Sequence, residues 1–401
     1  MKYARSLAAA VAATLLIPAF AAAETTVSVW HAYRGKEKAA LTEVAEKFNS
    51  ANADVKIKLL GIPYDAFADK ISAAVPRGKG PDLFIFAQDR VGDWAASKLI
   101  EPLDFWMTEE LEKAYLEPTL EALTYDDSVY GLPIAAKSVA LFYNTDLVKA
   151  PPKTTDEMVT LAKSLTDKGK KQYGLVYENA NFYFHGMWMQ GFGGKVFSKK
   201  GKPTLASKAV VDSLAFAQNL AKKEGIMPQE VSGNLVSTLF NDGKAAMVIN
   251  GPWFMGEISG NVKYKVAPLP TISASGKPAT PFLSAEGVIM SAKAKDKKAA
   301  FKVMQYLTGS EAGKILATKG RQLVARKDVH ADPAVKGDPL LAAFRKQLKH
   351  SRPMPNTPAM LMVWTPATTA MNKVINGDTA PADAAKAMQA EVEALVKGAK
   401  R

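Results

Sequence analysis

The sequence of 401 residues contains no cysteine. That excludes disulfides, thiolate nucleophiles and cysteine-ligated zinc or iron–sulfur centres. Histidine is scarce: His31, His185, His330 and His350 are the four present. None forms an HxxH or HExxH pair, so neither a histidine-built metal site nor any other metal site is expected. There is no GxSxG, no Walker A sequence and no GxGxxG after the first strand. Gly191-Phe192-Gly193-Gly194 lacks the following helix and acidic residue that a dinucleotide site needs. No cofactor is expected. Internal repeats and long low-complexity linkers are absent. Beyond the amino-terminus no run approaches the roughly 20 apolar residues that cross a bilayer, since the uncharged stretch Pro353 to Asn372 is broken by proline, threonine and asparagine.

What is present is an ordinary globular composition, 48% hydrophobic and 23% charged, which argues against wholesale disorder. At about 100–200 residues per domain the length predicts two lobes or domains. Lys2 and Arg5, the apolar run Leu7 to Ile17, Pro18, and Ala21-Ala22-Ala23 before Glu24 read as a cleavable signal peptide over residues 1–23. An exported, soluble chain is expected, and the lack of a cysteine after the run argues against a lipid anchor. The net charge of +13 does not point to nucleic acid. The lysines alternate with acids, as in Lys36-Glu37-Lys38, and no RNP motif, helix-turn-helix or zinc finger accompanies them.

From Thr25 the pattern is α/β. Thr26 to Trp30 alternates like a strand, and Lys38 to Asn49 carries Leu41, Val44, Ala45 and Phe48 at helical spacing. Val55 to Leu59 is a second strand and a short helix runs from about Ala66 to Val75. The all-apolar strand Leu83 to Ala87 suits the middle of a parallel sheet covered on both faces. Leu132 to Tyr143 reads as extended, and Thr154 with Glu157 forms a capping box. A second α/β series follows, with strands at Tyr173–Tyr177 and Ala245–Ile249 and a helix near Ser207–Lys223. Tyr264–Leu269 and Gly287–Ser291 are further strands, and helices span Asp296–Thr308, Ser310–Lys319 and Ala380–Gly398. Two α/β lobes without a linker imply that the chain passes between them more than once.

Three segments stand apart from plain scaffold. Gly80 to Arg90 ends a strand at Phe86, Asp89 and Arg90, where ligands of open α/β sheets sit; equally, Asp89 could cap the next helix and pair with Arg90. Phe240 to Trp253 contains a hairpin-like Asn-Asp-Gly-Lys turn, then a strand that stops at Asn250-Gly251-Pro252. Trp253 is therefore at a strand end, though a core aromatic fits too. Pro353-Met354-Pro355-Asn356-Thr357-Pro358 forces an extended path, after which Trp364 starts or precedes a helix. Asp126-Asp127 reads as a turn, and nothing favours a paired-carboxylate glycosidase site.

In this order, the segments Gly80–Arg90, Leu132–Ala135 with Tyr143-Asn144, Ala246–Trp253, and Met354–Pro358 with Trp364 resemble the periplasmic maltose/maltodextrin-binding proteins. These are the substrate-binding subunits of ABC sugar importers, and the likeness covers essentially the whole mature chain. The resemblance implies an α/β, two-lobed class II periplasmic binding protein fold with a ligand cleft between lobes. It places residues 24–135 plus about 287–330 in an N-terminal lobe and 139–282 plus about 336–401 in a C-terminal lobe. The crossovers fall near 135–139, 283–286 and 327–335. Carried over position by position, it implies sugar contacts at Phe86, Ala87, Asp89, Arg90, Phe182, Tyr183, Trp253 and Trp364. Four polar contacts depart from the family pattern, the first of them a pair: Tyr33-Arg34 stand near its Asp-Lys pair, Lys137 and Asn181 replace glutamates, and Thr368 replaces an arginine. The resemblance further implies a non-enzymatic, monomeric periplasmic protein that binds maltose or maltodextrin and delivers it to permease subunits in the inner membrane. Another di- or oligosaccharide such as trehalose or sucrose as the ligand, or a secreted carbohydrate-active enzyme, are the alternatives left open.

Overall fold

Ten strands position the site: β1 (Thr25–His31), β2 (Val55–Gly61), β3 (Leu83–Ala87), β4 (Gly131–Lys137), β5 (Ala140–Asn144), β6 (Tyr173–Val176), β7 (Ala245–Asn250), β8 (Tyr264–Ala267), β9 (Phe282–Met290) and β10 (Leu323–Val324). The computed structural model describes residues 24–399, so the expected signal peptide, residues 1–23, lies outside the described residues. One sheet has the order β10-β4-β9-β3-β1-β2, with Arg352–Pro353 also pairing with β9; a second has the order β8-β5-β7-β6. These are the sheets of two α/β lobes. The helices that matter below are α1 (Gly35–Ala51), α2 (Tyr64–Ala74), α3 (Val91–Ala96), α4 (Phe182–Gly191), α5 (Lys208–Ala221), α6 (Pro358–Asn376) and α7 (Pro381–Ala399).

β1, β2 and β3 are parallel, as their helical connections require. β9 runs antiparallel to both β3 and β4. It arrives from the second lobe, enters the first sheet from the side facing that lobe, and so runs against β3. The strand also begins at Phe282, five residues earlier than the apolar pattern from Gly287 suggested, because Phe282 to Glu286 bridge the lobes. β3 is buried along its whole length, between one parallel and one antiparallel neighbour.

Thr154 caps its helix by accepting from the Glu157 backbone N–H at 3.2 Å, while the Glu157 carboxylate accepts from Lys153 rather than from Thr154. Two local readings change. Asn241 ends a helix, Gly233–Asn241, and Asp242-Gly243 is its carboxyl-terminal turn, with Gly243 at φ +70°, rather than part of a hairpin. α6 starts at Pro358, so Trp364 lies inside the helix; the last proline of the extended run serves as its first helical residue.

The apolar core is continuous through the junction. Tyr33, Leu132, Ile134 and Val288 of the first lobe join Ala140, Phe142, Val248 and Phe254 of the second in one buried cluster. A separate cluster joins α4, α5, α6 and α7 through Phe182, Leu214, Met371 and Met388. α6 therefore packs with the second lobe. Its leading segment docks on the first, where the Gly92 N–H donates to the Asn356 carbonyl at 3.1 Å and Asn356 Nδ2 donates to the carbonyls of Ala122 and Thr124. A Cβ on Gly92 would stand 2.4 Å from that Asn356 oxygen, so this docking needs glycine.

Candidate functional site

The carboxyl ends of the parallel strands in each lobe lead to the candidate residues. After β1 comes Tyr33, after β2 Tyr64, and after β3 Asp89 and Arg90 in a 3-10 turn, Gln88–Arg90. In the second lobe β6 leads to Glu178, Asn181 and Tyr183, and β7 leads to Trp253 in a 3-10 turn, Pro252–Gly256. The two sets meet. Ser284 Oγ, on the bridging part of β9, donates to the Tyr183 hydroxyl at 3.2 Å. Trp253 and Tyr183 have ring centroids 6.2 Å apart. Arg34, from the first lobe, reaches Glu257 of the second at 3.2 Å. The Trp253 ring folds back over Gly251, where a Cβ would fall 2.0 Å from it.

Two buried polar groupings lie in this cleft. The first centres on Lys137, whose Nζ is 2.6 Å from Glu37 Oε1 and 3.2 Å from Glu286 Oε2. It also lies 5.5 Å from the Tyr33 ring centroid and 5.8 Å from that of Trp253. The Tyr33 hydroxyl donates to Glu286 at 2.9 Å and Gln322 donates to Glu37 at 3.3 Å. Burial alone would lower the affinity of Lys137 for its proton, but the two carboxylates more than offset it and hold the ammonium charged. Burial pushes Glu286 up, and repulsion from Glu37 adds to this against the pull of Lys137. Two carboxylates share one cation, which explains why both partners of the Lys137–Glu286 contact move upward.

The second grouping is Asp89, Arg90 and Trp364. Asp89 is buried, and its Oδ2 stands 3.8 Å from Arg90 Nε, too far for a hydrogen bond. Asp89 Oδ1, Arg90 Nε and Trp364 Nε1 are all buried without a hydrogen-bond partner. Trp364 stands near enough to favour the Asp89 charge slightly but makes no bond of acceptable geometry. Burial pushes Asp89 up to about 6, opposed mainly by Arg90. Neither a helix cap nor a tight ion pair accounts for Asp89, since the residue preceding α3 makes no side-chain cap bond.

The structure does not open every expected contact to the cleft. Phe86 is buried between the rings of Phe67 (4.8 Å, 6°) and Tyr64 (5.1 Å, 25°), because Tyr64 and Phe67 occupy one face of α2. Ala87 is a buried sheet residue whose register partner is Glu286. Phe182 is core, packed against Phe282 and Trp364. Lys137 is committed to Glu37 and Glu286, so its ammonium is paired within the protein. Asn181 caps α4, accepting from the Tyr183 N–H and donating to Glu178. Thr368 is exposed, one turn beyond Trp364 on α6. Tyr183, Trp253, Trp364, Asp89 and Arg90 are brought together.

Tyr64 was not among the expected residues. It is 52% exposed, and its hydroxyl is pushed well above its ordinary value by burial and by Asp89, Glu286 and Tyr183. A ring stacked on Phe86 by one face and half exposed describes a side chain standing on the wall of a cleft. The strand-end rule that singled out Asp89 after β3 would have found Tyr64 after β2. Two shallow hollows elsewhere on the first lobe, one lined by Glu43, Lys47 and Glu311 and the other by Lys38, Asn49 and Leu59, contain no candidate residue. Among the described residues no group of acids and histidines could hold a metal ion, and no helix is long and apolar enough to cross a membrane.

Residues 33–314 match the family of bacterial extracellular solute-binding proteins. A maltotriose-binding protein of Pyrococcus abyssi is 30% identical over 377 residues, covering 92% of this chain and 80% of that relative. The maltose/maltodextrin-binding domain of Bdellovibrio bacteriovorus, solved with maltotriose, superposes with a TM-score of 0.87 at 26% identity, covering 93% of this chain and all, 100%, of that one. The Thermus thermophilus maltotriose-binding protein, also solved with maltotriose, gives a TM-score of 0.86 at 29% identity over 92% of this chain and 100% of its own.

Proposed function

We propose, from the premise that the chain belongs to the bacterial extracellular solute-binding protein family, that it captures maltooligosaccharides outside the cytoplasm for an ABC importer. The relatives named for maltotriose support that ligand class. The observation that carries the reading is the set of unpaired buried groups Asp89, Arg90 and Trp364 beside the rings of Tyr183 and Trp253. A buried polar group without a partner costs about 1–3 kcal/mol. A pyranose answers both features, since its hydroxyl rim supplies donors and acceptors and its C–H faces cover aromatic rings.

The mechanism follows from the division of these groups. Asp89 and Arg90 belong to the first lobe, whereas Tyr183, Trp253 and Trp364 belong to or pack with the second. Only a closed arrangement lets one sugar touch both sets, so ligand favours closure by its differential affinity for the two states. Each ring face covered is worth on the order of 1 kcal/mol, and each hydrogen bond to a charged group about 1.5–3 kcal/mol. No bond is broken. We take the lobes to divide near residues 135–139, 283–286 and 327–335, with residues 287–330 returning to the first. The protein acts as a periplasmic monomer, freed of residues 1–23 and without a lipid anchor, and the closed form is read by permease subunits in the inner membrane.

Calorimetry of the mature chain against maltose, maltotriose, maltotetraose, trehalose and sucrose tests this. A maltooligosaccharide should bind most tightly, unaffected by chelator, with no shorter sugar appearing after long incubation. Preference for trehalose or sucrose would move the ligand, and hydrolysis products would replace the binding role with an enzymatic one.

A further inference from the structure

We propose that Tyr64 is the first lobe's sugar-stacking platform, taking a glucose unit on the ring face turned away from Phe86. This rests on the maltooligosaccharide reading and adds a specificity-determining residue to it. Phe86 cannot stack on a sugar, because Tyr64 covers one of its faces and Phe67 the other. Trp94 packs on the same ring at 5.8 Å. The stack Phe67–Phe86–Tyr64 therefore ends at Tyr64, and the outer Tyr64 face is the first aromatic surface of this lobe that a ligand can meet.

The position of Tyr64 follows from its local sequence. Pro63 precedes α2 with φ −54°, and Tyr64 is the first helical residue after it. That sets the side chain at the carboxyl end of β2, level with Tyr33 after β1 and Asp89 after β3. The charges that act on its hydroxyl are Asp89 and Arg90 from its own lobe and Glu286 from the bridging strand, joined by the Tyr183 hydroxyl from the opposite lobe. Tyr64 thus faces the same space as the unpaired Asp89, Arg90 and Trp364 groups. Its packed neighbours make the ring a rigid surface, with little ordering left to do when a sugar arrives.

Tyr64→Leu keeps an apolar cover over Phe86 but removes the flat face, whereas Tyr64→Phe and Tyr64→Trp keep it. Calorimetry with maltotriose on the mature chain should show Tyr64→Leu weakened about tenfold or more and the two aromatic variants within about threefold of the parent, the first being the loss of roughly one stacked ring face. The melting temperature without ligand should be nearly the same for all four. If Tyr64→Leu binds within about threefold of a parent that does bind maltotriose, the platform is overturned while the ligand class stands. Equal losses in Tyr64→Phe and Tyr64→Leu would also overturn it, by assigning the contact to the hydroxyl. A parent that binds no maltooligosaccharide overturns the ligand class and the platform together.

Discussion

The two buried polar groupings of the cleft differ in one respect, whether the protein satisfies them itself. Around Lys137, each charged or hydroxyl group has a protein partner among Glu37, Glu286, Tyr33 and Gln322, and the Gln322 amide oxygen alone is left without one. Around Asp89, three polar atoms have none. The closed network joins α1, the bridging strands β4 and β9, and through its ring contact the Trp253 of the other lobe. The unsatisfied one lies beside open aromatic surface. A closed network of charges serves to hold elements in register, whereas groups left unpaired are a standing cost that a ligand can remove. On the proposed function, the difference separates framework from binding site, and the pairing of Glu286 with Ala87 sets the two side by side.

The sharpest way to break the comparison is to remove the cation of the closed network. Lys137→Met leaves Glu37 and Glu286 facing each other in the interior, and unpairing a buried charge costs about 3–5 kcal/mol. Denaturant unfolding without ligand should show a loss of that size. Lys137→Glu adds a third carboxylate and should unfold the chain rather than re-rank sugars. A Lys137→Met protein as stable as the parent but altered in its order of sugar preference would transfer Lys137 to the binding site.

A smaller effect is expected at Asp89, with two opposite pH trends. Its pKa of about 6 in the folded chain exceeds the ordinary value of about 3.9. Between these values the folded chain holds a proton that the unfolded chain has released. Stability without ligand therefore gains from Asp89 as pH falls from about 6 to 4, and loses that gain as pH rises. Sugar hydroxyls that donate to the carboxylate favour its charged form, so affinity should fall as pH drops through about 6. Asp89→Asn should weaken maltotriose binding about tenfold at pH 7.5 and flatten both trends relative to the parent. Glu286 also titrates high, but it is common to both proteins, so their difference isolates Asp89. A variant that keeps the parent's affinity and pH profile would leave Asp89 outside the site.

The α/β series was legible because each strand and helix writes its own period, and Trp253 was placed correctly at a strand end by the Asn250-Gly251-Pro252 stop. What the sequence hides is packing at a distance. Nothing around Phe86 says that two rings of α2 enclose it, since those neighbours depend on how α2 lies on β3. Lys137 looks like a lone departure until folding brings Glu37, 100 residues earlier, against it. Phe182 and Tyr183 are adjacent in sequence yet point to core and cleft, because consecutive residues of α4 project about 100° apart. The start of α6 was misplaced for a local reason: prolines that enforce an extended path up to Asn356 also supply, at Pro358, a residue suited to a helix's first turn.

Arg34 carries the smallest expected effect and tests whether the comparison extends to the rim. The resemblance makes it a sugar contact, but the structure sets its guanidinium against Glu257 across the lobes with 71% of its side chain exposed. An exposed pair of this kind is worth about 0.2–1 kcal/mol, and here it forms only when the lobes approach. Arg34→Ala should therefore lower maltotriose affinity by no more than about fivefold, the range to which that energy corresponds. The deficit should shrink in high salt, because the parent's bridge is screened while the ring stacking and buried hydrogen bonds are not. Small-angle scattering without ligand should show the Arg34→Ala chain as extended as the parent or slightly more so. Glu257→Ala should reproduce each of these results, and the double variant should add little to either single one, since both remove the same bridge. A loss well beyond tenfold for Arg34→Ala, not matched by Glu257→Ala and insensitive to salt, would instead mean that the guanidinium leaves Glu257 to bind the sugar directly.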